Sequence, residues 1–256
     1  MSFQRLAVVS VTIAAIVGLG GCNSGSKDSG TNGAAPAATT AAATTPLEDF
    51  VAASKKLGGE TMKMKMSMPG GIEATGSADL AGKKLDMKMT MAMGTESLDI
   101  AVRLVGETMY MKMGPTGDKW MSLDVSKLPA GNSLNPENMA NAEAFAAAAV
   151  DVKRDGDNFS GTLDMTKSPT ADPESIKALG AKATAVPFTA KRDSEGRLTE
   201  MVIDMSGMGA GAGKITTTYY DFGTKVDVAA PAAGEVTPMP AEMLKAFTAQ
   251  GATAGA

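Results

Sequence analysis

Histidine is absent from all 256 residues. That one absence removes Ser-His-Asp and Cys-His catalysis, histidine-ligated zinc and imidazole acid–base steps together. Cysteine occurs once, at Cys22, so no internal disulfide can form and the fold must rest on its hydrophobic core. Aromatic residues make up 4% of the chain, with a single Trp, which leaves little for stacking sugars or bases. No basic stripe runs along the sequence, so nucleic acid is not an expected partner. The apolar run Leu6 to Leu19 falls short of the ~18–20 residues of a membrane-spanning helix.

What is present begins with three successive N-terminal signals. Met1 to Arg5 is weakly basic, Leu6 to Leu19 is almost wholly apolar, and the small pair Gly20-Gly21 stands immediately before Cys22. That order is a secretory signal. Leu19-Gly20-Gly21-Cys22 resembles the lipobox of bacterial lipoproteins. The resemblance implies that residues 1–21 are a signal peptide and that Cys22 becomes the acylated first residue. Palmitate and diacylglyceryl chains on it would hold the protein to the extracytoplasmic face of the cell membrane, each buried methylene adding about 0.8 kcal/mol. The competing reading, a stray cysteine behind an ordinary signal, leaves a free thiol exposed to oxidation in an exported protein. Loss of Arg5 with the leader takes the formal charge from −4 to −5. The stretch from Asn23 to Thr44 is Ser, Thr, Gly and Ala without a large apolar residue, so with Cys22 it reads as a lipidated, disordered tether spanning 22–44. Its root-mean-square reach would be about 25 Å.

A folded domain is expected over 45–248, with a disordered tail over 249–256. Thr45-Pro46-Leu47-Glu48 fits a capping box with proline at the first helical position. Leu47, Phe50, Val51 and Leu57 then share one face of a helix ended by Gly58-Gly59. Period-two alternation follows. Met62 to Met68, Ile72 to Leu80, Leu85 to Met93, Leu98 to Leu104 and Met109 to Met113 each place apolar residues on one side and Lys, Asp, Ser or Thr on the other. Such segments, separated by Gly-containing turns, predict an antiparallel meander buried on one face. Helices are expected from Asn135 to about Ala149, from Asp172 to Gly180 and from Ala241 to Phe247. Further strands are expected around Phe159–Met165, Val186/Phe188, Leu198–Met205, Ile215–Tyr219 and Val226/Val228. The fold class is therefore α+β, a single curved antiparallel sheet with helices laid on one face.

Twenty methionines are unusual, and they cluster at alternate positions of three predicted strands. Three readings follow from the chemistry of the thioether. It is unbranched and polarizable, which suits a deformable apolar surface for ligands of varied shape. It is also a soft ligand for Cu(I) or Ag(I), although metal sites need convergent donors and this row reads as spread out. The third reading is plain core filling. Ser206 to Lys214 (SGMGAGAGK) fails as a nucleotide loop, because Ile215 follows Lys214 and Met208 stands where a glycine is required. It reads as a hairpin loop.

The run VRLVGETMYMKMGPTGDKWMSLDVSKL (Val102 to Leu128) resembles the strand–turn–strand core of the LppX/LprAFG family of actinobacterial lipoproteins. The opening helix LEDFVAASKKL, the segment AVPFTAKRDSEGRLTEMVIDM and the closing TTTYYDFGTKVDVAAP match further pieces in the expected order. The resemblance implies a half-barrel sheet similar to that of the LolA/LolB carriers, with helices covering its concave face. Between them would lie an apolar cavity that takes acyl chains of lipids or glycolipids for carriage or presentation. The expected lining is Met62, Met64, Met66, Met87, Met89, Met91, Ile100, Val102, Leu104, Met109, Met111 and Met113. The expected protein is a non-catalytic, lipid-anchored monomer without cofactor or metal. Its partners are the membrane, through Cys22, and a lipid ligand, with an envelope transporter left open. The alternatives are a Cu(I)/Ag(I)-binding envelope protein and a pocketless surface lipoprotein.

Overall fold

A computed structural model describes residues 44–114, 119–128, 132, 135, 147–168, 176, 177, 179–209 and 211–245. The fold belongs to the unit Ala43–Ala256. The signal segment, Cys22 and the tether up to residue 43, and the tail expected over 249–256, lie outside the described residues, as does most of the helix expected from Asn135.

Helix α1 spans Pro46–Gly59. Its capping box forms as the sequence predicts: the Glu48 amide donates to Thr45 Oγ1 at 3.2 Å, and the Thr45 amide donates to Glu48 Oε2 at 2.7 Å. The buried stripe is Phe50, Ala53 and Ser54, with Leu57 packed at its end, while Leu47 stays outside the core at 40% exposure.

Twelve strands follow: β1 Thr61–Met68, β2 Ile72–Asp79, β3 Lys84–Met93, β4 Glu96–Val105, β5 Thr108–Met113, β6 Trp120–Asp124, β7 Ala149–Asp155, β8 Asn158–Leu163, β9 Val186–Arg192, β10 Leu198–Asp204, β11 Lys214–Tyr220 and β12 Val236–Pro238. They form one sheet in the order β12-β6-β5-β4-β3-β2-β1-β11-β10-β9-β8-β7. Two meanders, β1 to β6 and β7 to β11, are thus joined where β1 pairs antiparallel with β11. The tight β4–β5 hairpin turns on Gly106, whose φ of +64° is closed to most L-residues.

The architecture differs from the expected half-barrel under covering helices. The sheet is mixed, because β12 runs parallel to β6, and it does not close. Helices are few: α1 is the only α-helix of several turns among the described residues, and it packs on β7 and β10 rather than over the methionine strands. The physical reason lies in segments whose local pattern points to the wrong element. Ala149, expected to end a helix, starts β7, where Val150 and Val152 suit a strand better than a helix. The second expected helix is seen where it is described, at Ile176, Lys177 and Leu179, and Gly180–Thr184 follows it as a 3-10 turn. Val226 and Val228 are buried without joining a strand, whereas Val236–Pro238 supplies the parallel edge.

Two apolar clusters line the same face of the sheet. In the first, Phe50 of α1 meets Phe188 at 5.1 Å and Phe159 at 5.6 Å between ring centroids, with Ala53, Leu163, Val186, Leu198 and Met201 around them. A bulge in β10 between Leu198 and Glu200 lets Leu198 and Met201, three residues apart, both face inward. In the second, Met62, Ala78, Leu85, Leu104, Met109 and Leu123 pack with Val125, Leu128 and Met239. Leu57 and Tyr219 border both clusters. The opposite face carries exposed pairs such as Lys63–Asp221 at 2.9 Å and Lys65–Glu73 at 3.4 Å, which add little stability.

Candidate functional site, the methionine face

Register turns the alternating methionines into rows that cross the sheet. The first row runs Leu123, Met109, Leu104, Leu85, Ala78, Met62. The second runs Met121, Met111, Val102, Met87, Gly76, Met64 and reaches Tyr219 on β11. The third runs Met113, Ile100, Met89, Ala74, Met66 and reaches Thr217. The fourth is Leu98, Met91, Ile72, Met68. All twelve residues expected to line a pocket therefore share one face.

Burial separates them. Met62 and Leu104 are 1% exposed and Met109 is 2% exposed, so these three belong to the packed core and present no surface to a ligand without repacking. Met64, Met66, Met87, Met89, Met91, Ile100, Val102, Met111 and Met113 are half-buried, so solvent still reaches them. The accessible part of the face is the second to fourth rows. Met93, at the tip of the β3–β4 hairpin, is 62% exposed.

Strand β2 gives the face its relief. Ala74, Gly76 and Ala78 stand between the methionines of β1 and those of β3, a floor of the smallest side chains between flexible walls. Gly76 is fixed by backbone proximity: a Cβ there would collide with the Asp86 carbonyl oxygen and lie 3.0 Å from Met87 Cα. Where the rows meet β11 they end on two polar groups, Thr217, itself buried, and Tyr219. Burial pushes the Tyr219 hydroxyl up to about 12, against a smaller opposing effect of its hydrogen bond with Thr217. Tyr219 therefore stays neutral at ordinary pH and serves as a hydrogen-bonding group, not a base.

Two open grooves are lined by described residues. One of about 450 Å³ lies beside Lys153, Ser160 and Thr189, and one of about 350 Å³ beside Lys88, Thr90 and Lys112. The first is lined mainly by polar residues, and the second, on the polar face, by Met89, Ile100 and Ala101 as well as Lys88, Thr90, Asp99 and Lys112; both are open to solvent, so neither is an enclosed apolar void for an acyl ligand. On this polar face Arg103 lies 4.8 Å over the Trp120 ring and 3.4 Å from Asp86 Oδ2, an ion pair without a well-directed hydrogen bond. Among the described residues no three His, Cys, Asp or Glu side chains gather to hold a metal ion.

Sequence reasoning misses the β6 contribution, Met121 and Leu123, because the short run WMSLD enters it only through a resemblance. It also misses Thr217 and Tyr219, which reach the face through a pairing distant in sequence. The small residues of β2 are visible as an alternation, but their place between two methionine strands needs the register. No protein-family model matches the chain, and no curated protein matches it.

Proposed function

We propose that the chain is a membrane-anchored lipoprotein that holds acyl chains of an envelope lipid or glycolipid against the methionine face, for carriage or presentation and without catalysis. The observation that carries this reading is the continuity of half-buried apolar rows across five neighbouring strands, β5 to β1, with no charged side chain within them. Methionine suits such a surface because its side chain adapts to irregular or variable ligands. The lipobox-like Leu19 to Cys22 supports anchoring at the extracytoplasmic side of the cell membrane.

Magnitudes favour acyl chains over head groups as the source of affinity. About ten buried methylenes at ~0.8 kcal/mol each give ~8 kcal/mol before ordering costs. Association costs of ~4 kcal/mol or more come off that gross value, so affinity rises with the number of methylenes buried. Thr217 and Tyr219 are the polar groups nearest the rows and suit an ester or hydroxyl at one end of the ligand.

Native mass spectrometry of the whole chain, gently purified from membranes of a lipid-containing host, tests the proposal. The expected spectrum carries an added lipid mass beyond the Cys22 acyl groups, and the paired substitution Met89→Asp with Met111→Asp removes that extra mass. A wild-type spectrum with no such mass contradicts it.

A further inference from the structure

We propose that Met64, Met66, Met87 and Met89 form a binding site for one soft monovalent cation, Cu(I) or Ag(I). The site shares these residues with the proposed acyl surface, so the ion is tested on the chain without added lipid. Register creates it: Met64 stands opposite Gly76, which stands opposite Met87, and Met66 stands opposite Ala74, which stands opposite Met89. Two pairs of thioether side chains thus face each other two strands apart, about 9.5 Å between backbones, over a hydrogen atom and a methyl group. Within each pair of neighbours on one strand the spacing is about 6.5–7 Å. Unbranched side chains of this length can lean toward the common centre, because nothing bulky stands between them.

The other methionine rows lack this arrangement. Val102 separates Met87 from Met111, and Ile100 separates Met89 from Met113. The alternating sequence therefore spreads its methionines widely, but β2 brings four of them around a shallow centre. A Cβ at Gly76 would lie 3.0 Å from Met87 Cα, so glycine keeps the floor between Met64 and Met87 clear of a side chain. All four are half-buried, so an ion can arrive from solvent and still be shielded once bound.

Donor chemistry then selects the ion. Thioethers are neutral, soft ligands that favour Cu(I) and Ag(I) over Zn(II), Mg(II) or Ca(II). The two rows hold no carboxylate between Met64 and Met121 or between Met66 and Met113, so a divalent charge would be left uncompensated. A weakly hydrated single charge is the one such a site can desolvate.

The test uses the full chain with Cys22→Ser, which removes the only thiol, titrated anaerobically with Cu(I) against a chromogenic chelator and separately with Ag(I) by methionine-methyl NMR. The expected result is one ion bound with submicromolar affinity, with methyl shifts centred on the four named residues. Replacing all four by Leu preserves apolar volume and should weaken binding by about tenfold or more, while Met93→Leu and Met113→Leu leave it unchanged. Binding weaker than micromolar, shifts centred elsewhere, or equal losses in the control variants would overturn the site. Should the quadruple variant not fold, the wild-type shift pattern and the single Met87→Leu variant decide the same question.

Discussion

Gly76 stands where a Cβ would run into the β3 backbone at Asp86 and Met87, so it is constrained by space, not by a turn. Gly76→Ala must push the Asp86 peptide away and is expected to cost about 1–3 kcal/mol, read as a lower denaturant midpoint at unchanged slope. A neutral result would mean that the strands separate freely there. Asp193 carries a second prediction at this scale. Burial alone would raise its carboxyl, but hydrogen bonds from the Arg197 amide at 2.9 Å and Nε at 2.8 Å outweigh it and hold it below the usual range. A carboxyl depressed in the folded state stabilises above its unfolded pKa, and that share is lost as pH falls through the folded value. Asp193→Asn should therefore melt below wild type at neutral pH, with the gap closing as pH drops below the ordinary value of ~3.9. A gap that widens in acid would refute the assignment.

The elements divide into those fixed locally and those fixed by distant pairing. Helix α1 and strands β1 to β5 are legible in the sequence because capping residues, turn glycines and period-two apolar positions all lie within short windows. The methionine face is legible for the same reason: in a meander, sequence neighbours are sheet neighbours. Strand β7 is not, since the alanine-rich run Ala144 to Ala149 reads as helix, and a bulge at Asp151, with φ +53°, breaks its alternation. Nor is the β1–β11 seam, whose partners Met66 and Thr217 are remote in sequence, or the parallel edge strand β12. Helices over one face are expected both from the element order and from the resemblance, and neither holds; α1 instead serves the far half of the sheet, held by Phe50 and by the Asp49–Arg154 ion pair. Phe50→Ala should cost about 3–5 kcal/mol, because the ring is fully buried between Phe159 and Phe188. Equilibrium unfolding checks it, and a loss under about 1 kcal/mol would show that α1 is only loosely attached.

For the molecule as a whole, the sheet separates two chemistries. One face is charged and hydroxylated, and the other is apolar, packed at its α1 half and at the Met62 row, half-open along the methionine rows beyond the Met62 row. An anchor at Cys22 would keep that half-open surface near the source of its proposed ligands. The central claim is that acyl chains lie on this face and not on the polar one, and adjacent residues of one strand report the difference. A photoactivatable fatty acid should be bound, irradiated and mapped by peptide mass spectrometry. Adducts are expected on Met64, Met87, Met89, Ile100 and Met111, with Lys88, Thr90 and Lys112 unlabelled. Labelling of Lys88, Thr90 and Lys112 instead, or labelling that an excess of unmodified fatty acid does not displace, would contradict the claim.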